Sequence, residues 1–126
     1  MNLSANQKKQ QMGKIHVGLA IVDNKTIKLF HKKYLQQNTP TDVLSFESQK
    51  QLPEGHYLLG DVMVSAERVK EQARQYHTTE AEELARVISH GILHLLGYDD
   101  QTPSEQKKMR QAEDKILNRL PKYTKK

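Results

Sequence analysis

Cysteine is absent from the 126 residues, so no disulfide can form and no thiolate is available to a metal ion. Tryptophan is absent too, and two phenylalanines with five tyrosines leave little material for an aromatic stacking platform. No apolar run approaches the roughly 18 residues of a membrane span. The first residues, Met1-Asn2-Leu3-Ser4-Ala5-Asn6-Gln7-Lys8, lack the apolar core of a signal peptide. A cytoplasmic protein without disulfides or membrane segments is therefore expected. This length suits one domain with a core of its own. The boundaries read as a polar arm over 1–13, a single domain over 14–121 and a basic tail over 122–126.

Charge is present in quantity but unevenly placed. The formal net charge is +5; residues 1–34 hold seven Lys against one Asp, residues 35–100 five basic against eleven acidic side chains, and residues 101–126 eight basic against three acidic. Basic flanks around an acidic middle suit a protein that holds a polyanion at its ends and keeps carboxylates near a cation. Ordinary solvated Lys-rich termini would give the same composition.

Ile15, Val17, Leu19 and Ile21 alternate within Lys14–Val22, which predicts a strand with one buried face. Asp23-Asn24 turns the chain into a helix with Ile27, Phe30 and Tyr34 on one stripe, decorated by solvated His31, Lys32 and Lys33. Pro40 makes Thr39–Asp42 a loop. Val43–Glu47 and Tyr57–Ser65 read as two strands of an antiparallel hairpin, with residues 49–56 as the connection. Ser65 can cap a helix that keeps Val69, Ala73 and Tyr76 in helical spacing. Thr79 and Glu82 form a capping box for the next helix, and Thr102-Pro103-Ser104-Glu105 opens the last one, which runs to Leu120 before Pro121. The fold class is α+β: a small sheet covered by helices.

The helix after Thr79 is apolar at Leu84, Val87, Ile88, Ile92 and Leu95, so it belongs at the centre of the domain, with Glu83, Arg86 and His90 as its polar stripe. His90 and His94 lie one turn apart, and their imidazoles can converge on one point. Gly97 is the residue type that ends a helix in a left-handed conformation. The chain can then return a third ligand at Asp100, with Asp99 as the alternative. The pattern H-x3-H-x2-G-x2-(H/D) supplies three ligands and leaves a fourth position open, as catalytic zinc sites do. The zinc metalloproteases with this spacing place a Glu after the first His as general base, whereas here that position is Gly91. A glycine inside a helix costs about 1 kcal/mol relative to Ala, so close packing against a sheet is expected there.

His90-Gly91-x-Leu93-His94-Leu95-x-Gly97-Tyr98-Asp99, Thr41-Asp42-Val43-Leu44-Ser45-Phe46 and Leu59-Gly60-Asp61 together resemble the YbeY family of rRNA-maturation endoribonucleases, in order and spacing, from about Ile15 to Leu120. The resemblance implies a mixed sheet of about four strands around a central metal-binding helix, one zinc ion on His90, His94 and Asp100, and cleavage of single-stranded RNA during maturation of the small-subunit rRNA 3′ end. It also implies a part in ribosome quality control, with rRNA and the small ribosomal subunit as partners. The family usually has a His where Asp100 stands, an Arg where Leu35 follows Tyr34, and a Pro where Glu47 follows Phe46. Its first strand is expected to be missing here.

A carboxylate at position 100 shifts preference towards harder ions such as Mn²⁺ or Fe²⁺. Without Arg at position 35, Lys32 or Lys33 becomes the candidate phosphate contact. Asp61 is the candidate base, or else a partner of a ligand His. Tyr34, Phe46, Tyr57 and Tyr98 are candidate stacking residues. The alternatives to a nuclease are an RNA- or ribosome-binding factor with a weakened active site, suggested by Leu35 and Asp100, and a metallohydrolase of another substrate such as a peptide.

Overall fold

A computed structural model describes residues 13–35 and 41–120, with the side chains of Tyr34 and Leu35 excepted. The polar arm read up to residue 13 and the basic tail fall almost wholly outside these residues, as does the first half of the Pro40 loop.

The elements run β1 (Ile15–Val22), α1 (Asn24–Leu35), β2 (Val43–Gln51), β3 (Tyr57–Ser65), α2 (Ala66–Gln75), α3 (Glu80–Leu95) and α4 (Pro103–Arg119). β3 is central in the order β1-β3-β2, parallel to β1 and antiparallel to β2. The sheet is mixed, as expected, and has three strands among the described residues rather than about four.

Strand alternation divides the sheet into two faces with different covers. Val43, Ser45, Val62 and Val64 share the face under α3, where Val62 and Val64 join Leu59, Val69, Val87 and Leu95 in the main core. Phe46, Asp61 and Met63 point to the other face, where Phe30 of α1 meets Phe46 edge-on with ring centroids 6.4 Å apart. Ile27 is fully buried on α1. His31, one turn later on the same stripe, is only 6 % exposed, so it is a core residue and not the solvated decoration its neighbours suggested.

Two further expectations change. β1 does not bury its whole apolar face: Val17 packs on the core, but Ile15, Leu19 and Ile21 are 65 %, 50 % and 53 % exposed. Among the described residues β1 is an edge strand, and α3 lies over β2 and β3. β2 continues beyond Glu47 to Gln51, past a register shift between Glu47 and Lys50 at which Gln49 takes φ 48°. Such a bulge is invisible to a hydrophobic pattern because Glu47–Gln51 is polar and exposed throughout.

Helix starts follow their caps. Ser65 Oγ accepts the Arg68 amide and Thr79 Oγ1 the Glu82 amide. The Glu82 side chain bonds Thr78 and does not complete the box at Thr79. At α4 both halves of the capping box form, between Thr102 and Glu105, with Pro103 in the first turn. The polar stripe of α3 turns inward: Glu83 is buried, and the Gln72 amide of α2, oriented with its nitrogen towards the two carboxylates, donates to Glu83 at 3.1 Å and to Asp42 at 3.2 Å. Burial pushes the Glu83 carboxyl up, as does nearby Asp42, although Arg86 opposes them.

Candidate metal centre

Gly91 seats α3 on the sheet. A Cβ there would lie 2.7 Å from Val62 Cγ1 and 3.0 Å from Val43 Cγ2, so no side chain fits unless the Val62 and Val43 side chains give way. Ser45 Oγ donates to the Gly91 carbonyl at 2.8 Å and fixes the same turn laterally. The expected close packing is present, and it turns His90 and His94 to a half-buried margin away from the sheet.

α3 ends as the sequence dictates. Gly97 takes φ 100°, its amide bonds the His94 carbonyl at 3.1 Å, and the Tyr98 amide bonds the Leu93 carbonyl at 3.0 Å. This is the paired bonding of a Schellman cap, which a residue with a Cβ would strain. The reversal brings Asp100 back beside the last turn of α3. Asp99 Oδ1 accepts the Asp100 amide at 2.8 Å, and Gln106 of α4 donates to the Asp100 carbonyl at 3.1 Å.

His90 Nε2 and His94 Nε2 are 3.1 Å apart, and Asp100 Oδ2 lies 3.4 Å from the first and 3.5 Å from the second. A tetrahedral ion with bonds of 2.0–2.1 Å separates its ligand atoms by about 3.3 Å, so the three atoms already stand at the spacing one ion requires. Two nitrogens and one carboxylate oxygen suit zinc and are compatible with harder divalent ions.

The far nitrogen of His90 is also engaged. Nδ1 lies 2.7 Å from Glu113 Oε2, and Glu113 Oε1 accepts Arg86 Nη1 at 3.0 Å, while Arg86 Nη2 reaches Asp114 Oδ1 at 2.9 Å. The Glu113 hydrogen bond raises the His90 pKa above its usual 6.5 against the opposing effect of burial. Burial pushes Glu113 up, but the hydrogen bonds from His90 and Arg86 outweigh it and hold the carboxyl below its ordinary range. Glu113 and Arg86 were not singled out from sequence as site residues. The readable signal was a carboxylate four residues after Met109 and three before Ile116, on the apolar stripe of the last helix.

Other candidates sit elsewhere. Asp61 points to the sheet face opposite α3, where its Oδ1 would be 1.9 Å from any Cβ on Gly18, so it is not a partner of His90 or His94. Lys32 and Lys33 are exposed at the end of α1, on that same opposite side. Tyr98 is exposed beside the Asp100 turn, whereas Phe46 and Tyr57 are half-buried in the sheet, and Glu47 is exposed on β2. The side chains of Tyr34 and Leu35 lie outside the described residues. No described helix is long and apolar enough to cross a membrane.

A family model described as Endoribonuclease YbeY matches residues 1–121. A protein named Endoribonuclease YbeY from Thermodesulfovibrio yellowstonii is 41 % identical over 105 residues, covering 82 % of this chain and 66 % of its own length. The namesake from Sulfurihydrogenibium sp. is 38 % identical over 110 residues, covering 86 % and 72 %. The chain thus spans just under two thirds of the first relative and somewhat more of the second. Among solved structures, that of TM1509 from Thermotoga maritima is similar with a TM-score of 0.56 and 32 % identity, over 87 % of this chain and 71 % of that one. With this match running the length of the domain, and with the two histidines and the carboxylate gathered as the motif required, the chain belongs to the YbeY endoribonuclease family.

Proposed function

We propose that the protein is a metal-dependent endoribonuclease that cuts single-stranded RNA in rRNA processing, with His90, His94 and Asp100 holding one zinc ion. The observation that carries this reading is the spacing of three candidate ligand atoms around one centre, two from a helix and one from the turn that follows it. Zinc in such a site supplies Lewis acidity at a phosphoryl oxygen and acidifies water to a pKa of about 7. Asp100 makes the site less positive by one charge than a third imidazole would, which moderates both effects and widens the choice of metal to Mn²⁺ or Fe²⁺. Maturation of the small-subunit rRNA 3′ end, ribosome quality control, association with the small subunit and a cytoplasmic location complete the proposal, in keeping with the family.

The chain's own residues have limited tasks. His90 and His94 orient the centre from α3, and Asp100 closes it from the turn. Lys32 and Lys33 are offered as distant contacts to the RNA backbone, one point charge each. Asp61 remains a candidate only for work on the α1 side of the sheet. Peptide hydrolysis is disfavoured because the place of the metalloprotease base is Gly91, packed too tightly for a carboxylate.

Purified protein incubated with single-stranded RNA should cleave it, lose the activity to a chelator and regain it with zinc or manganese. Asp100→Ala should be inactive. RNA binding without cleavage at any metal loading would overturn the nuclease reading in favour of a binding factor. Cleavage of casein under the same conditions would point to the other hydrolase.

A further inference from the structure

We propose that Glu113, itself oriented by Arg86, is the positioning residue that fixes the ring of His90 and thereby sets the metal affinity of the centre. The inference rests on the metal reading above and adds to it a residue from the last helix.

The geometry leaves Glu113 one use. It is 4 % exposed, one turn from the equally buried Met109 on the inner stripe of α4, where a carboxylate without partners would be strongly disfavoured. Both its oxygens are committed, Oε2 to His90 Nδ1 at 2.7 Å and Oε1 to Arg86 Nη1 at 3.0 Å. A carboxylate can only accept. His90 therefore carries its proton on Nδ1 when the ring is neutral, and the Nε2 lone pair faces His94 Nε2 and Asp100 Oδ2. The opposite tautomer would place N–H at the centre and leave Nδ1 facing a carboxylate, acceptor against acceptor. Arg86 prevents Glu113 from turning away, because its second nitrogen is held by Asp114 at 2.9 Å. With both oxygens occupied Glu113 is not a free base, so it acts through His90.

A plain structural staple between α3 and α4 would use the same contacts, and two measurements separate the roles. Zinc affinity is measured by competition with a chelating dye for wild type, Glu113→Gln, Glu113→Ala and His94→Ala. The tautomer of His90 is read from imidazole nitrogen shifts in metal-free protein, at a pH where the ring is neutral. Wild type should show the Nδ1–H form. Glu113→Ala should lose it and bind zinc about 10–100-fold more weakly, the usual effect of removing such a partner. Glu113→Gln, whose carbonyl can still accept from Nδ1, should keep the tautomer and lose less than Glu113→Ala. It also keeps the comparison open if the alanine variant does not fold.

Glu113 variants that melt earlier but bind zinc like wild type would make the residue a staple and overturn the proposal. A wild-type Nε2–H form would overturn it as well. If His94→Ala matches wild type in affinity, the metal reading falls and this proposal with it. If only the Glu113 variants match, the metal reading stands and this proposal alone falls.

Discussion

The two faces of one sheet carry very different chemistry. Under α3, most polar groups near the centre are tied to a second group: His90 to Glu113, Glu113 to Arg86, Asp100 to Asp99 and Gln106 through its backbone. Under α1, Asp61 sits beside Gly18, Phe30, Phe46 and Met63 in a shallow apolar hollow, and among the described residues no comparable chain of ion pairs leads away from it. Both faces offered a carboxylate to a reader of the sequence. A charged side chain becomes part of a site when buried neighbours hold its donor atoms towards one point, and among the described residues the α3 face does that.

The sharpest way to break this comparison is to remove one residue from each face. His94→Ala should abolish metal retention and reduce RNA cleavage by more than the roughly 100-fold that a supporting residue can cost. Asp61→Asn should leave metal binding within about twofold of wild type, since a surface change away from the centre has little to act on. Metal analysis after gel filtration and a cleavage time course test both; equal losses in the two variants would erase the distinction between the faces.

Packing provides the next contrast. Gly91→Ala gains about 1 kcal/mol of helix propensity but forces a methyl against Val62 and Val43, and overpacking costs about 1–3 kcal/mol. A net destabilisation is expected, visible as a lower denaturant midpoint. Ile21→Thr on the open edge of β1 should change stability by less than about 0.5 kcal/mol, as exposed positions usually do. A Gly91→Ala protein as stable as wild type would show that the α3 face is looser than its distances imply.

The smallest effect expected is on pH dependence in metal-free protein. His90 has a raised pKa in the folded state, chiefly through Glu113, so its contribution is fully present below the unfolded value near 6.5 and is lost as pH rises through the raised value. Glu113 is lowered, despite burial, by its bonds to His90 and Arg86, so its contribution is present above its unfolded value of 4.5 and lost as pH falls through the folded one. Melting temperature should therefore be highest between these limits, and Glu113→Gln should flatten the profile on both sides. Asp61→Asn should leave its shape unchanged.

Much of this was readable in the chain. Helix starts at Ser65, Thr79 and Thr102 announced themselves by cap residues, and the stop at Gly97 by its freedom to adopt positive φ. His90, His94 and Asp100 were legible because helical spacing and one turn fix where their side chains go. The burial of His31 and the exposure of Leu19 were not legible, because each depends on which neighbour covers a face, and local periodicity is silent on that. The β2 bulge escaped because polar residues carry no alternation to interrupt. Glu113 escaped because its partner is 23 positions away in the chain and reaches it only through the docking of α4 on α3.

That docking also bears on which stretches of chain depend on each other. The His90 ring meets its second partner 23 positions further on, so the chain up to the Asp100 turn holds that imidazole from one end only. A fragment ending at that turn would keep His90, His94 and Asp100 and yet leave the His90 ring free to choose its proton, which ties the settled form of the cluster to the seating of α4 on α3.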